Sequence, residues 1–218
     1  MDAHIPATGG TSRQQQHSRS LGEIKLLQIN LNHTKKAMQA ASQHIKENKI
    51  DVALLQDTYV NPNAQGLYDF PSAWRVFESK NKNAHVIISN TSIIANFLTS
   101  TDYAVFVSIS AAEGDLIIGS FYAPTLRNQL RNTGMQDPFQ SMLDAWSHLA
   151  QRQDSYFLCG GDYNANSQLW GSPRTDERGQ TLMDFLVTNN LLLVNLDNRI
   201  HTFRKYDGRG TLLCPGLP

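Results

Sequence analysis

Short apolar runs recur along the chain, and several of them stop abruptly on a polar side chain. Residues 24–32 alternate enough to read as a strand, and this strand ends in the amides Asn30 and Asn32. Residues 35–48 change period: Ala37, Ala40, Ala41, His44 and Ile45 recur at helical spacing. A second apolar strand at 50–55 then ends on Gln56-Asp57. A strand–helix–strand unit predicts a parallel pair and an α/β class. Further along, 62–71 reads as a loop, 74–78 and 84–89 as paired strands about a polar turn, and 93–98 as continued β structure. Residues 104–109 and 116–122 form a predicted hairpin whose second arm ends at Tyr122-Ala123-Pro124. A polar connection at 126–135 leads to a second helix at 138–151, with Phe139, Met142, Leu143, Trp146 and Leu149 as its apolar stripe. A strand at 156–159, a third helix at 180–189 and short strands at 191–195 and 201–204 complete the pattern, with no internal repeat.

The strand at 156–159 runs into Gly160-Gly161-Asp162-Tyr163-Asn164. The glycines are expected to stop it and release the backbone into a tight turn. On extended backbone, Asp162 and Asn164 point to the same side. A carboxylate and an amide aimed together can hold a water or a metal ion against a substrate oxygen. The same residues also make an ordinary Asx-rich turn, and the pair alone does not decide between the two.

Composition narrows the classes. The 218 residues are 40% hydrophobic and 17% charged with zero formal net charge, so the chain can bury a substantial core and is not of disordered type. A neutral chain has no overall field for nucleic acid, so any DNA contact needs a local patch. Two cysteines, Cys159 and Cys214, are too few for a disulfide scaffold and fit a reduced, intracellular setting. No apolar stretch approaches the roughly 20 residues of a membrane-spanning helix, and no apolar core of a secretory signal is seen. Residues 1–22 carry few apolar side chains and read as a disordered tail or linker, ahead of a domain at 23–218.

Asn30, Asp57, Tyr122 and the Asp162/Asn164 pair all close apolar runs. Strand ends in an α/β sheet converge on one rim, where sites usually form. Two carboxylates, two amides and a phenol make a hard, oxygen-rich set that suits Mg²⁺ or Mn²⁺ and argues against zinc. Phosphodiester hydrolysis uses such a set: a metal neutralises phosphate charge, a carboxylate activates water, and neutral donors hold the non-bridging oxygens.

The order Gln28-Ile29-Asn30, Leu55-Gln56-Asp57, Tyr122-Ala123-Pro124, Gly161-Asp162-Tyr163-Asn164 and Thr202-Phe203 resembles the endonuclease/exonuclease/phosphatase superfamily. It looks most like the apurinic-endonuclease-like domain of non-LTR retrotransposon polyproteins of the R1 type. Residues 26–36, 54–60 and 160–171 carry that closer likeness, with Thr175-Asp176-Glu177-Arg178-Gly179. The resemblance spans about 24–206. It implies an α/β sandwich of two mixed β-sheets flanked by helices. It implies a metal-dependent endonuclease that nicks double-stranded target DNA and leaves a 3′-hydroxyl primer, using Mg²⁺ or Mn²⁺. A reverse transcriptase domain of the same polyprotein and a nuclear place of action, away from any membrane, follow from the same likeness.

Carried over by position, Asn30 positions metal or phosphate, Asp57 binds the metal and Tyr122 donates to phosphate. Asp162 deprotonates the attacking water, and Asn164 holds that water or the transition-state oxygen. Thr202 supports the floor of the site or touches DNA. The loop cations near the rim, Arg178 and Arg204 among them, are either solvated surface or phosphate contacts. His33, His44 and His148 are expected at the surface or packed on helices, and Asp176 is expected to pair with Arg178. The chain departs from the family twice. Position 57 is Asp where the family has Glu, which shortens the ligand by one methylene. The family's later Asp and its Ser-Asp-His motif have no counterpart, so the last strands of the fold are expected to be missing and activity to be weak or absent. A catalytically dead DNA-binding remnant and a phosphatase of the same superfamily are the alternative readings.

Overall fold

Leu26–Asn30 (β1) and Val52–Gln56 (β2) run parallel, with Leu26 opposite Val52 and Asn30 opposite Gln56. Helix Lys35–Glu47 (α1) makes the crossover, and Thr34 caps its start by accepting from the Ala37 N–H at 3.2 Å. The buried face of α1 is Met38, Ala41, Ser42 and Ile45. Ala40 and His44, which share the helical spacing, face outward. Arg75–Glu78 (β3) and Ala84–Ile88 (β4) pair antiparallel, and β4 also pairs antiparallel with β2. The order β1-β2-β4-β3 is therefore a mixed sheet. This computed structural model describes residues 23–60, 66–111, 114–125, 139–152, 155–194, 203–204 and 210–211.

The second sheet has the order β5-β6-β7-β8. It comprises Ala95–Ser100 (β5), Ala104–Ala111 (β6), Gly114–Tyr122 (β7) and Ser155–Asp162 (β8). β5, β6 and β7 are antiparallel neighbours, whereas β7 and β8 are parallel. Helix Phe139–Ala150 (α2) lies between β7 and β8 in the chain and buries Phe139, Met142, Leu143, Trp146 and Leu149, the stripe expected of it.

Strand alternation assigns the layers. Val52 and Leu54 of β2 pack with Val86 and Ile88 against Val105, Val107 and Ile118 of the other sheet. Ala53 and Leu55, one position out of phase, pack with Ile87 beneath Met38 and Ile45 of α1. On the far side, Phe106, Ile117 and Phe121 meet Met142 and Trp146 of α2, and Leu182 and Leu186 of Glu177–Thr188 (α3). The result is two mixed sheets face to face with helices outside, as expected. A buried polar chain ties the sheets together: Gln28 Nε2 donates to Gln56 Oε1 at 2.7 Å, and Gln56 Nε2 donates to Ser120 Oγ at 3.0 Å.

Three expectations are corrected. β8 does not stop at the glycines; it continues through Gly160 and Gly161 to Asp162. Those glycines answer to packing rather than to a turn. A Cβ on Gly161 would collide with the Phe121 carbonyl, and one on Gly160 would lie 3.1 Å from Leu54 Cδ1. Residues 191–194 form no strand, although Leu191 and Leu193 pack on the α2–α3 core. Asp176 does not pair with Arg178. It caps α3 by accepting from the Gly179 N–H at 2.8 Å and takes the Asn166 amide at 2.6 Å. Phe203–Arg204 (β9) pairs antiparallel with Gly210–Thr211 (β10). Thr202, the tail 1–22 and the connection 126–135 lie outside the described residues.

Candidate active site

Because β1 is parallel to β2 and β7 to β8, polar residues at the ends of these four strands gather at one rim. Asn30 closes β1, and Asp57 follows β2 directly. Tyr122 and Asp162 close β7 and β8, opposite each other in register. The Asn30 amide donates to Asp162 Oδ2 at 2.8 Å and approaches Asp57 Oδ2 at 3.5 Å. One amide thus bridges two carboxylates that are 5% and 8% exposed. The Ala123 N–H donates to the Asp162 carbonyl at 2.7 Å, which continues the β7–β8 pairing past the strand ends.

Burying two carboxylates side by side disfavours their charged forms. Burial is the main cause that pushes the Asp162 carboxyl up to about 6, and Asp57 adds to it. The Asn164 backbone N–H, the Asn30 amide and the Arg178 guanidinium oppose the rise. Asp57 is also raised by burial, against His33, Tyr122 and Asn30. Burial and the neighbouring carboxylates raise the Tyr122 hydroxyl, so it remains a protonated donor at neutral pH.

Asn164 does not extend β8. Its φ of 43° is left-handed, its backbone N–H donates to Asp162 Oδ1 at 3.1 Å, and its side-chain amide donates to the Ala123 carbonyl at 2.7 Å. The Asx turn and the site are therefore one structure: the turn orients the carboxylate. Arg178, proposed from sequence for the DNA surface, is only 4% exposed. Its Nη1 donates to the Pro124 carbonyl at 2.7 Å, and its guanidinium lies over the Phe139 ring. It supports the rim from below. The Arg204 backbone belongs to β9, which pairs with β10.

His33 is the residue that the sequence reading missed. Its backbone N–H donates to the Asp57 carbonyl at 2.7 Å, and its Nε2 lies 3.1 Å from Asp57 Oδ1. Asn32, His33 and Asp57 all hold left-handed φ angles of 47°, 51° and 49°. Such strain, concentrated at one point, marks a place over-determined by its surroundings. The local cue was weak, because Asn and His tolerate this conformation in ordinary turns.

Asp57 Oδ1 is buried without a partner of hydrogen-bond geometry, although His33 stands within ion-pair distance. Among the described residues no group of three or more His, Cys, Asp or Glu is arranged to hold a metal ion. One unpartnered buried carboxylate oxygen beside an amide fits a hard cation that keeps several of its waters, and does not fit a cation enclosed by protein.

The family model described as Endonuclease-reverse transcriptase matches residues 116–213. Among solved structures, the endonuclease domain of TRAS1, a telomere-specific non-LTR retrotransposon, is similar with a TM-score of 0.71 at 23% identity, covering 88% of this chain and 82% of that one. An AP endonuclease from Archaeoglobus fulgidus is similar with a TM-score of 0.53 at 18% identity, covering 88% and 85%. No curated protein matches.

Proposed function

We propose that this chain, which has the endonuclease/exonuclease/phosphatase fold, is a nuclease that hydrolyses phosphodiester bonds in double-stranded DNA. The finer reading is an endonuclease that nicks target DNA in the nucleus, leaves a 3′-hydroxyl primer, and works beside a reverse transcriptase domain of the same polyprotein. The observation that carries the reading is the Asp57–Asn30–Asp162 bridge at the ends of β1, β2 and β8.

Asp162 is the general base. A carboxylate held up to about 6 is largely ionised at neutral pH yet basic enough to take a proton from water. Asn30 orients it through Oδ2 and the Asn164 backbone N–H orients it through Oδ1, so the carboxylate has one settled direction. The Tyr122 hydroxyl, kept protonated, donates to a phosphate oxygen as charge develops there. Asp57, through its unpartnered oxygen, would hold Mg²⁺ or Mn²⁺, which supplies positive charge against the developing phosphorane oxygens, and Asn30 positions that carboxylate through its amide.

The test is nicking of supercoiled plasmid with Mg²⁺ or Mn²⁺ by the wild type and by Asp162→Ala. Removing a general base should slow nicking by about 10²- to 10⁴-fold. Equal nicking by both would sink the proposal. Phosphate release from a small ester without nicking would select a phosphatase instead. Salt-dependent DNA binding without cleavage would select a DNA-binding remnant.

A further inference from the structure

The geometry points to His33 as a direct ligand of the catalytic cation, which makes this a mixed imidazole–carboxylate site that prefers Mn²⁺ to Mg²⁺. This rests on the metal-dependent reading above. His33 Nδ1 lies 3.1 Å from the Thr58 carbonyl oxygen, which can only accept. Nδ1 therefore carries a hydrogen, and Nε2, whose lone pair is available when only Nδ1 is protonated, is the nitrogen that faces Asp57. That lone pair stands 3.1 Å from Asp57 Oδ1, a buried oxygen without a hydrogen-bond partner. Two electron-rich atoms so placed need a positive charge, which a proton on Nε2 or a metal ion held by both supplies; that Asp57 Oδ1 has no partner of hydrogen-bond geometry favours the metal ion. For bonds of about 2.1 Å at right angles, neighbouring ligands on an octahedral ion stand about 3.0 Å apart. The observed separation matches that value.

The surroundings hold the ring where a ligand must be. A second-partner hydrogen bond at the far nitrogen is the usual way to fix the tautomer and direction of a metal-binding histidine, and Thr58 provides it. The His33 backbone is tied to the Asp57 backbone, so the two side chains leave from a single braced point. The His33 side chain is 57% exposed, which leaves the outer positions of the ion open to water and substrate. Asp57 is a short ligand, and an imidazole beside it supplies the second protein ligand. Imidazole favours first-row transition ions, whereas an all-oxygen set suits Mg²⁺.

Manganese binding to the metal-free protein, read by electron paramagnetic resonance of free Mn²⁺ and by Mg²⁺ competition, tests this without reference to cleavage. His33→Ala should weaken Mn²⁺ binding at least about tenfold, and Mg²⁺ binding by less than about threefold. His33→Lys keeps a cation beside Asp57 but cannot ligate as imidazole does, so it should weaken Mn²⁺ at least as much. Wild-type Mn²⁺ affinity in either variant overturns the inference and makes the His33–Asp57 contact a simple ion pair. Asp57→Ala separates the two levels. Loss of both metals in Asp57→Ala with unchanged affinity in His33→Ala overturns only the ligand assignment, whereas no Mn²⁺ binding by the wild type overturns the metal-dependent reading as well. His33 is exposed, so its variants should fold; their urea midpoints check this.

Discussion

The Asn30 amide reaches across the rim to Asp162 Oδ2 at 2.8 Å, a contact between residues 132 apart in sequence. This hydrogen bond favours the ionised carboxylate, while burial and Asp57 work against it. Nicking should therefore rise with pH about tenfold per unit below the Asp162 midpoint and level off above it, as Asp162 becomes able to accept a proton. Asn30→Ala removes a stabiliser of the charged form, so its midpoint should move to higher pH. A pH–rate profile measured at saturating metal reads both quantities. An unmoved midpoint in Asn30→Ala would separate Asn30 from the general base.

The same carboxyl makes stability depend on pH. Its folded value of about 6 lies above the ordinary unfolded value, so the folded state holds the proton more tightly. This contribution is complete only below about pH 4 and is lost as pH rises through about 6, after which stability stays level. Asp57 is raised as well and acts with the same sign. Asp162→Asn keeps the shape without the charge. It should lose this pH dependence together with nicking, and its amide nitrogen must face one of the two N–H donors, Asn30 Nδ2 or Asn164 N, that the carboxylate accepts. Urea unfolding at pH 4 and pH 7 measures the slope. An identical pH dependence in both proteins would refute the assignment.

The two glycines of β8 should respond differently to alanine. Gly161 has the Phe121 carbonyl against the place where a Cβ would go, and that backbone is fixed by the β7–β8 ladder. Gly160 has only the Leu54 methyl at 3.1 Å and the Gln28 side chain at 3.4 Å, both of which can shift. Gly161→Ala should cost about 3 kcal/mol or more and disturb the site, whereas Gly160→Ala should cost about 1 kcal/mol or less. Denaturant midpoints of the two variants decide this, and equal effects would contradict the packing account.

Arg178→Met tests whether this buried arginine serves the fold or the DNA. It loses the bond to the Pro124 carbonyl and the contact over Phe139, so stability should fall by about 1–3 kcal/mol. The salt dependence of DNA binding should stay as in the wild type. A slope smaller by about one would place Arg178 on a phosphate.

Much of the architecture was legible along the chain because local periodicity reports burial directly. The stripe Phe139, Met142, Leu143, Trp146 and Leu149 is the buried face of α2, and the 104–122 hairpin is β6–β7. Local chemistry misleads where it has two uses. Glycines mark turns in most sequences, yet Gly160 and Gly161 sit inside a strand because another backbone and the opposite sheet come close. The run at 191–194 is apolar enough for a strand, but it packs on helices without one.

Sequence by itself marked the polar residues that follow apolar runs: Asn30, Asp57, Tyr122 and Asp162. It did so because a polar residue that interrupts an apolar run is visible locally whatever its burial. Only the tertiary structure decided what those residues do to one another. Two parallel pairings bring the ends of β1 and β2, and of β7 and β8, to the same rim. There Asn30 bridges two carboxylates, the Asn164 turn aims Asp162, Arg178 turns inward and His33 comes to stand beside Asp57. Burial at that rim, which no local pattern encodes, is what lifts Asp162 toward neutrality.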